Sequence, residues 1–165
     1  TNTVNLIALQ AALITLKGVK DVTLDQTHKK TTNDSLLPMP RLPAISDLNP
    51  TIISLVQELN SLGEEDGTII ASMYRHLAYW PNYLALVKIA LEPIASSGEL
   101  KRAIDKSREQ SAEKALSLSK FLAPFPPSIS SACFYEIKSV LELFTSHQFS
   151  KMVVICGMLM EALEN

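Results

Sequence analysis

An all-α fold follows from three features of the 165-residue sequence. Apolar residues recur at three- and four-residue spacing in almost every segment. No alternating, β-branched run lasts long enough to argue for a sheet. Pro or Gly interrupts the chain wherever the helical register fails. The expected architecture is a bundle of six to seven helices in a single domain, 1–165. It divides into an apolar helix over 1–17, a proline-rich linker over 18–49 and a helical repeat over 50–165.

The first helix carries Leu6, Leu9, Leu13 and Leu16 on one stripe, and Ile7, Ala11, Ala12 and Ile14 spread the apolar surface around most of its cylinder. Burial on nearly all sides is expected, and with it a larger chain or assembly. After the polar His28–Asn33 stretch, Pro38, Pro40 and Pro43 mark the linker. Asn49 before Pro50 is an N-cap followed by proline at N1, opening a helix striped by Ile52, Ile53, Leu55, Val56, Leu59 and Leu62 and closed by Gly63. Asp66 or Thr68 is expected to cap a third helix through Ile69, Ile70, Met73, Leu77 and Trp80, with Pro81 as its boundary. A short buried helix follows and stops near Pro93. The run from Glu99 to Lys120 reads as a charged amphipathic surface helix, with Glu109, Glu113 and Lys114 among its charges. After Pro124, Pro126 and Pro127, Ser128 is the expected N-cap of a sixth helix striped by Ile129, Cys133, Ile137, Val140, Leu141 and Phe144. Met152–Met160 is too short to span a bilayer and reads as a buried core helix.

Composition narrows the function. At 47% apolar and 19% charged the chain is globular rather than disordered. A net charge of −2 supplies no surplus to neutralise phosphates, so nucleic acid is not an expected partner, and with no segment long enough to span a bilayer neither is a membrane. Cys133 and Cys156 make neither a disulfide scaffold nor a CxxC motif, and a reducing cytoplasm is the expectation. No Gly-rich phosphate loop, HExxH, GxSxG or EF-hand pattern occurs. His28, His76 and His147 have no common metal-ligand spacing, so no metal is expected.

The densest chemistry lies between Ser72 and Tyr83. Arg75 and Tyr79 share one helical face, as do Ser72 and His76, a combination able to hold a small anion. The alternative is structural: Tyr74, Tyr79, Trp80 and Tyr83 pack the core while Arg75 makes an interhelical salt bridge. The candidate pocket residues are Ser72, Met73, Tyr74, Arg75, His76, Tyr79 and Trp80.

The stretch ASMYRHLAYWPNYLALVKIALEP resembles the signature helix pair of the group I 2-haloacid dehalogenases, a cofactor-free helical family. NLIAL at Asn5–Leu9, LPMPRLP with the SLVQELN helix, and the terminal KMVVICGMLMEAL are similar to successive pieces of that family's second repeat. The resemblance implies a pseudo-dimer of two helical repeats with the site between them. In that family an Asp activates water for direct attack on the halogen-bearing carbon, helped by an Asn of the other repeat. Here the Asp position aligns with Met73, whose thioether cannot act as a base. The resemblance therefore implies a divergent member that binds a small ligand, an organic acid among the candidates, and associates with a second copy or a first repeat. Hydrolysis of 2-haloacids is the alternative, with Glu65 or Asp66 as substitute base. These two carboxylates also suit a helix start, where they stabilise the dipole.

Overall fold

The computed structural model describes residues 2–17, 40–63, 69–122 and 131–164. Among them are seven α-helices and no strand: α1 (Asn2–Lys17), α2 (Pro50–Ser61), α3 (Ser72–Leu77), α4 (Pro81–Ser96), α5 (Glu99–Ser119), α6 (Ser131–Leu143) and α7 (Phe149–Glu164). A 3-10 turn at Ile45–Asp47 precedes α2, and a π-helical turn at Phe144–Gln148 joins α6 to α7 without a break. The all-α bundle expected from the periodicity is what the chain forms. Most of the linker (residues 18–39), the proposed caps Asp66, Thr68 and Ser128, and Ile129 lie outside the described residues.

The main core gathers Val56 and Leu59 of α2, Ala71, Tyr74 and Ala78 around α3, Leu84, Val87 and Leu91 of α4, Leu100 and Ile104 of α5, and Ile155 of α7. A second contact runs along α1 and α5, where Ala11, Ser111 and Ala115 are all buried. Small side chains at these positions let the two helix backbones approach closely. Arg108 ties α5 to its own helix through Asp105 at 3.2 Å and to α7 through Ser150 Oγ at 3.3 Å.

The helix starts follow their local chemistry. Asn49 Oδ1 accepts from Thr51 N at 2.8 Å and Ile52 N at 3.2 Å, two donors that the first turn of α2 would otherwise leave without partners. Trp80 sits at φ −126°, ψ 75° outside the helical region, as a residue before proline does, and Pro81 opens α4.

Several expectations need correction. The third helix is shorter than its apolar stripe, ending at Leu77 in a turn that carries Trp80 N–H to the Leu77 carbonyl at 2.8 Å. Pro93 lies inside α4 rather than ending it. Pro93 and Ile89, whose carbonyl loses its donor, are both exposed, so the unmade hydrogen bond falls on the solvent side of the helix, where its cost is lowest. That helix is also not wholly buried, since Leu86 and Ile89 are exposed. The first helix buries Leu6, Ala11 and Leu16 and leaves every residue from Leu9 to Leu16 at least half-buried, while Thr3, Val4, Asn5 and Ala8 near its start are exposed. On α6, Ile137 and Val140 are exposed, and α7 exposes Met160 and Leu163 near its end. The ion pairs of α5 include Lys101–Asp105, Arg102–Glu99 and Arg108–Asp105.

Two glycines provide a controlled test of packing. Gly63 and Gly98 both have φ near +77°, at 78° and 76°, where an L side chain is strained. A Cβ at Gly63 would meet Ile104 Cδ1 at 3.0 Å and Leu100 Cδ2 at 3.1 Å, whereas at Gly98 it would meet nothing within 4 Å. Gly98→Ala is therefore expected to cost about 1 kcal/mol and Gly63→Ala about 2–3 kcal/mol, the excess coming from overpacking. Urea denaturation of both variants measures the difference; equal costs would show that the core yields freely at Leu100 and Ile104.

Candidate functional site

The site begins with a buried amide. Asn60, at the end of α2 and 2% exposed, donates from Nδ2 to the Ile69 carbonyl at 3.0 Å and accepts from Ala71 N–H at 3.1 Å. It thereby holds the extended segment that feeds α3. Gln148 closes on the same groups from the π turn: with its amide nitrogen turned to Ile69 it donates there at 3.1 Å and its oxygen accepts from Ala71 N–H at 3.1 Å, an orientation that takes the place of donation from Nε2 to Asn60 Oδ1 at 3.2 Å. Lys151, 1% exposed, donates to the Asn60 carbonyl, one of those left without a partner at the C-terminus of α2. A cation at that end also complements the helix dipole.

The π turn accounts for so many polar residues inside an apolar run. Widening the helix frees carbonyls from their usual partners. Thr145 Oγ1 occupies the Leu141 carbonyl at 2.7 Å, and Ser146 Oγ the Glu142 carbonyl at 2.5 Å. The insertion also turns Thr145, Gln148, Ser150 and Lys151 toward the interior, where all four are buried.

Against this frame lies a cleft of about 570 Å³. Ile69, Ile70, Ala71, Ser72 and Met73 form one wall; Phe144, Gln148, Phe149, Met152 and Cys156 form the other; Asn5 of α1 also lines it. Cys156 Sγ lies 3.4 Å from Met73 Sδ across it. The described lining residues include no carboxylate, imidazole or ammonium group, so the cleft favours uncharged occupants.

The seven residues singled out from the sequence do not share this site. Ser72 and Met73 line the cleft. Tyr74 is fully buried in the core, and its hydroxyl has no hydrogen-bond partner among the described residues. Burial, and secondarily the neighbouring Cys156, push its phenol well above the ordinary tyrosine range. Arg75 turns the other way, donating from Nε to the Pro43 carbonyl at 3.0 Å and also from Nη2 to the same oxygen. This replaces the expected interhelical salt bridge. Tyr79 OH donates to the Arg41 carbonyl at 2.7 Å. Arg75 and Tyr79 thus line a separate recess of about 560 Å³ with Arg41, Pro43, Asp47 and Leu48. His76 is half-buried and lines neither space. Trp80 is 56% exposed and stacks edge-on against Tyr79, so it is no wall of the pocket.

Sequence reasoning missed the α7 wall, although a signal was present. Phe144, Gln148, Met152 and Cys156 recur at a strict four-residue interval. That interval drifts around an ordinary 3.6-residue helix, and the wider π turn takes up part of the drift.

Compared with known proteins, the chain matches no family model, no curated protein and no solved structure. Fold and site therefore define it only as a helical protein with an apolar, sulfur-rich cleft. Among the described residues, no helix is long and apolar enough to cross a membrane.

The isolated Tyr74 hydroxyl predicts a pH effect. The unfolded phenol ionises near 10, whereas the folded one resists ionisation. Stability is therefore retained below pH 10 and lost progressively above it, where the unfolded chain releases the proton first. Tyr74→Phe is expected to raise stability by about 1 kcal/mol at neutral pH, by removing a buried polar group that lacks a partner. It should also remove this component of the alkaline loss. Urea denaturation of both proteins between pH 7 and 11 measures the two effects, and an unchanged alkaline slope would contradict the burial account.

Proposed function

We propose that the chain is a divergent relative of the two-repeat helical dehalogenases that no longer carries their base, and that it serves as a small-ligand-binding or assembly module. The observation supporting this is Met73: it lines the cleft at the position where the resemblance places the catalytic Asp. A thioether there can contact a ligand but cannot take a proton from water.

The ligand that fits is small and uncharged. A carboxylate entering the cleft meets no cation among the described lining residues, and the charge of Arg75 is spent in the other recess. Gln148 and Ser72 offer the polar contacts that would orient a mainly apolar guest. Association with a second copy or with a first repeat belongs to the same reading; exposed Val4, Tyr135, Val140, Met160 and Leu163 on α1, α6 and α7 support it.

The hydrolase alternative depends on Glu65 or Asp66, which precede Ile69 of the cleft wall in sequence and lie outside the described residues. Two measurements separate the readings. Indole, a neutral ligand of suitable size, is expected to bind saturably and raise the melting temperature, and Met152→Trp, which fills the cleft, is expected to weaken that binding at least about tenfold. Halide release from either enantiomer of 2-chloropropionate is expected to stay at background. Release that Asp66→Asn abolishes would establish the hydrolase and overturn the binding-module reading; absence of indole binding would overturn the neutral-ligand assignment.

A further inference from the structure

We propose that Met73, Met152 and Cys156 form a site for a single Cu(I) ion within the cleft. This goes beyond the neutral-ligand reading and does not depend on it.

Three sulfur-bearing side chains, two thioethers and a thiol, line one cavity. Met152 and Cys156 lie one turn apart on α7, and Met73 faces them from α3, its Sδ 3.4 Å from Cys156 Sγ. The sequence expectation against metals rested on histidine spacing, which takes no account of thioethers. Ligand type then selects the ion. Thiolate and thioether donors suit Cu(I), whereas Mg²⁺, Ca²⁺ and Mn²⁺ need oxygen ligands that the described lining does not gather. Zn²⁺ favours four nitrogen, thiolate or carboxylate ligands, of which this set has only one.

Charge points the same way. One thiolate and Cu(I) sum to zero, so the loaded site adds no net charge to a cleft lined by Ile69, Ile70, Phe144 and Phe149. A divalent ion on the same ligands would leave a net positive charge in apolar surroundings, at high desolvation cost. Binding involves no electron transfer: the ion enters as Cu(I), a sulfur–copper bond forms, and the Cys156 thiol proton leaves to solvent. Tyr74 adds an independent observation. Its buried hydroxyl, otherwise without a partner among the described residues, lies beside Cys156 and is a neutral donor suited to a metal-bound thiolate. Outer-shell donors commonly stabilise metal ligands in this way.

The test is anaerobic titration of the full chain with Cu(I) in competition with bathocuproine disulfonate. One equivalent is expected to be withheld from the chelator, with ultraviolet sulfur-to-copper charge-transfer absorption. Cys156→Ser should lower the affinity about 100-fold and Met73→Leu or Met152→Leu about tenfold each, while Cys133→Ser leaves it unchanged. X-ray absorption of the unsubstituted chain should find three sulfur neighbours, a readout independent of how any variant folds. No withheld equivalent, fewer than three sulfur neighbours, affinity indifferent to both leucine substitutions, or dependence on Cys133 would each overturn the site. Loss of indole binding with retained Cu(I) binding would count against the neutral-ligand reading alone.

Discussion

The structure depends on one buried clasp. Asn60 holds the carbonyl and amide of a segment with no regular secondary structure of its own, Ile69–Ala71, and so determines where α3 begins. Backbone groups buried without partners cost about 1–3 kcal/mol each, so this segment could not sit inside the bundle unless a side chain supplied what a helix or sheet would have supplied. Gln148 reaches the same groups from the π turn, and Lys151 joins the Asn60 carbonyl to α7. Three elements far apart in sequence thus meet at one polar point in an otherwise apolar core. The clasp also sets the cleft, because Ile69, Ala71 and Gln148 are at once its members or anchors and the cleft's wall.

Much of the bundle was legible because helix starts and apolar stripes are local. Asn49-Pro50 announces α2 through a cap and a fixed φ, and Trp80-Pro81 announces α4 through the restriction proline places on its predecessor. Such signals act within a few residues, and the sequence contains all of their physics. Pro93 marks where local reasoning stops. A proline breaks a helix when the carbonyl it deprives is buried; whether Ile89 faces solvent is decided by the tertiary packing of α4. The same limit explains why the start of α1 and the end of α7 are exposed although Val4, Met160 and Leu163 there are apolar. An apolar residue reports what burial would gain, and the neighbours decide which faces are covered.

The candidate site was only half legible for a related reason. Ser72 and Met73 were found because they belong to a chemically dense segment, yet density in sequence is not convergence in space. Around a short helix, Arg75 is swung away from Met73 and toward the 3-10 turn, where the Pro43 carbonyl takes its donors. Tyr74, between them, points into the core. The residues that do converge with Met73 lie about eighty positions later, and their four-residue spacing becomes a common wall only with a π turn in the helix. Its polar residues, Thr145, Ser146 and Gln148, carry a trace of that turn, since hydroxyls and an amide are what a widened helix needs for its displaced carbonyls and buried neighbours.

Met73 brings fold and chemistry together. Placed beside the clasp and opposite Cys156, any side chain at this position works in a low-polarity environment whose nearest described partners are sulfur and hydrocarbon. A carboxylate there would need a counter-charge or water to remain ionised at neutral pH, and the opposing wall is built from Phe149, Met152 and Cys156. The cleft and residue 73 are therefore mutually consistent as they stand: both walls are soft, polarisable and uncharged. The described lining offers no carboxylate, imidazole or amine to take a proton; what it presents is hydrocarbon, sulfur lone pairs and a neutral amide. The Gln148 amide, anchored to the backbone on the opposite side, gives the cleft an oriented polar group without adding net charge.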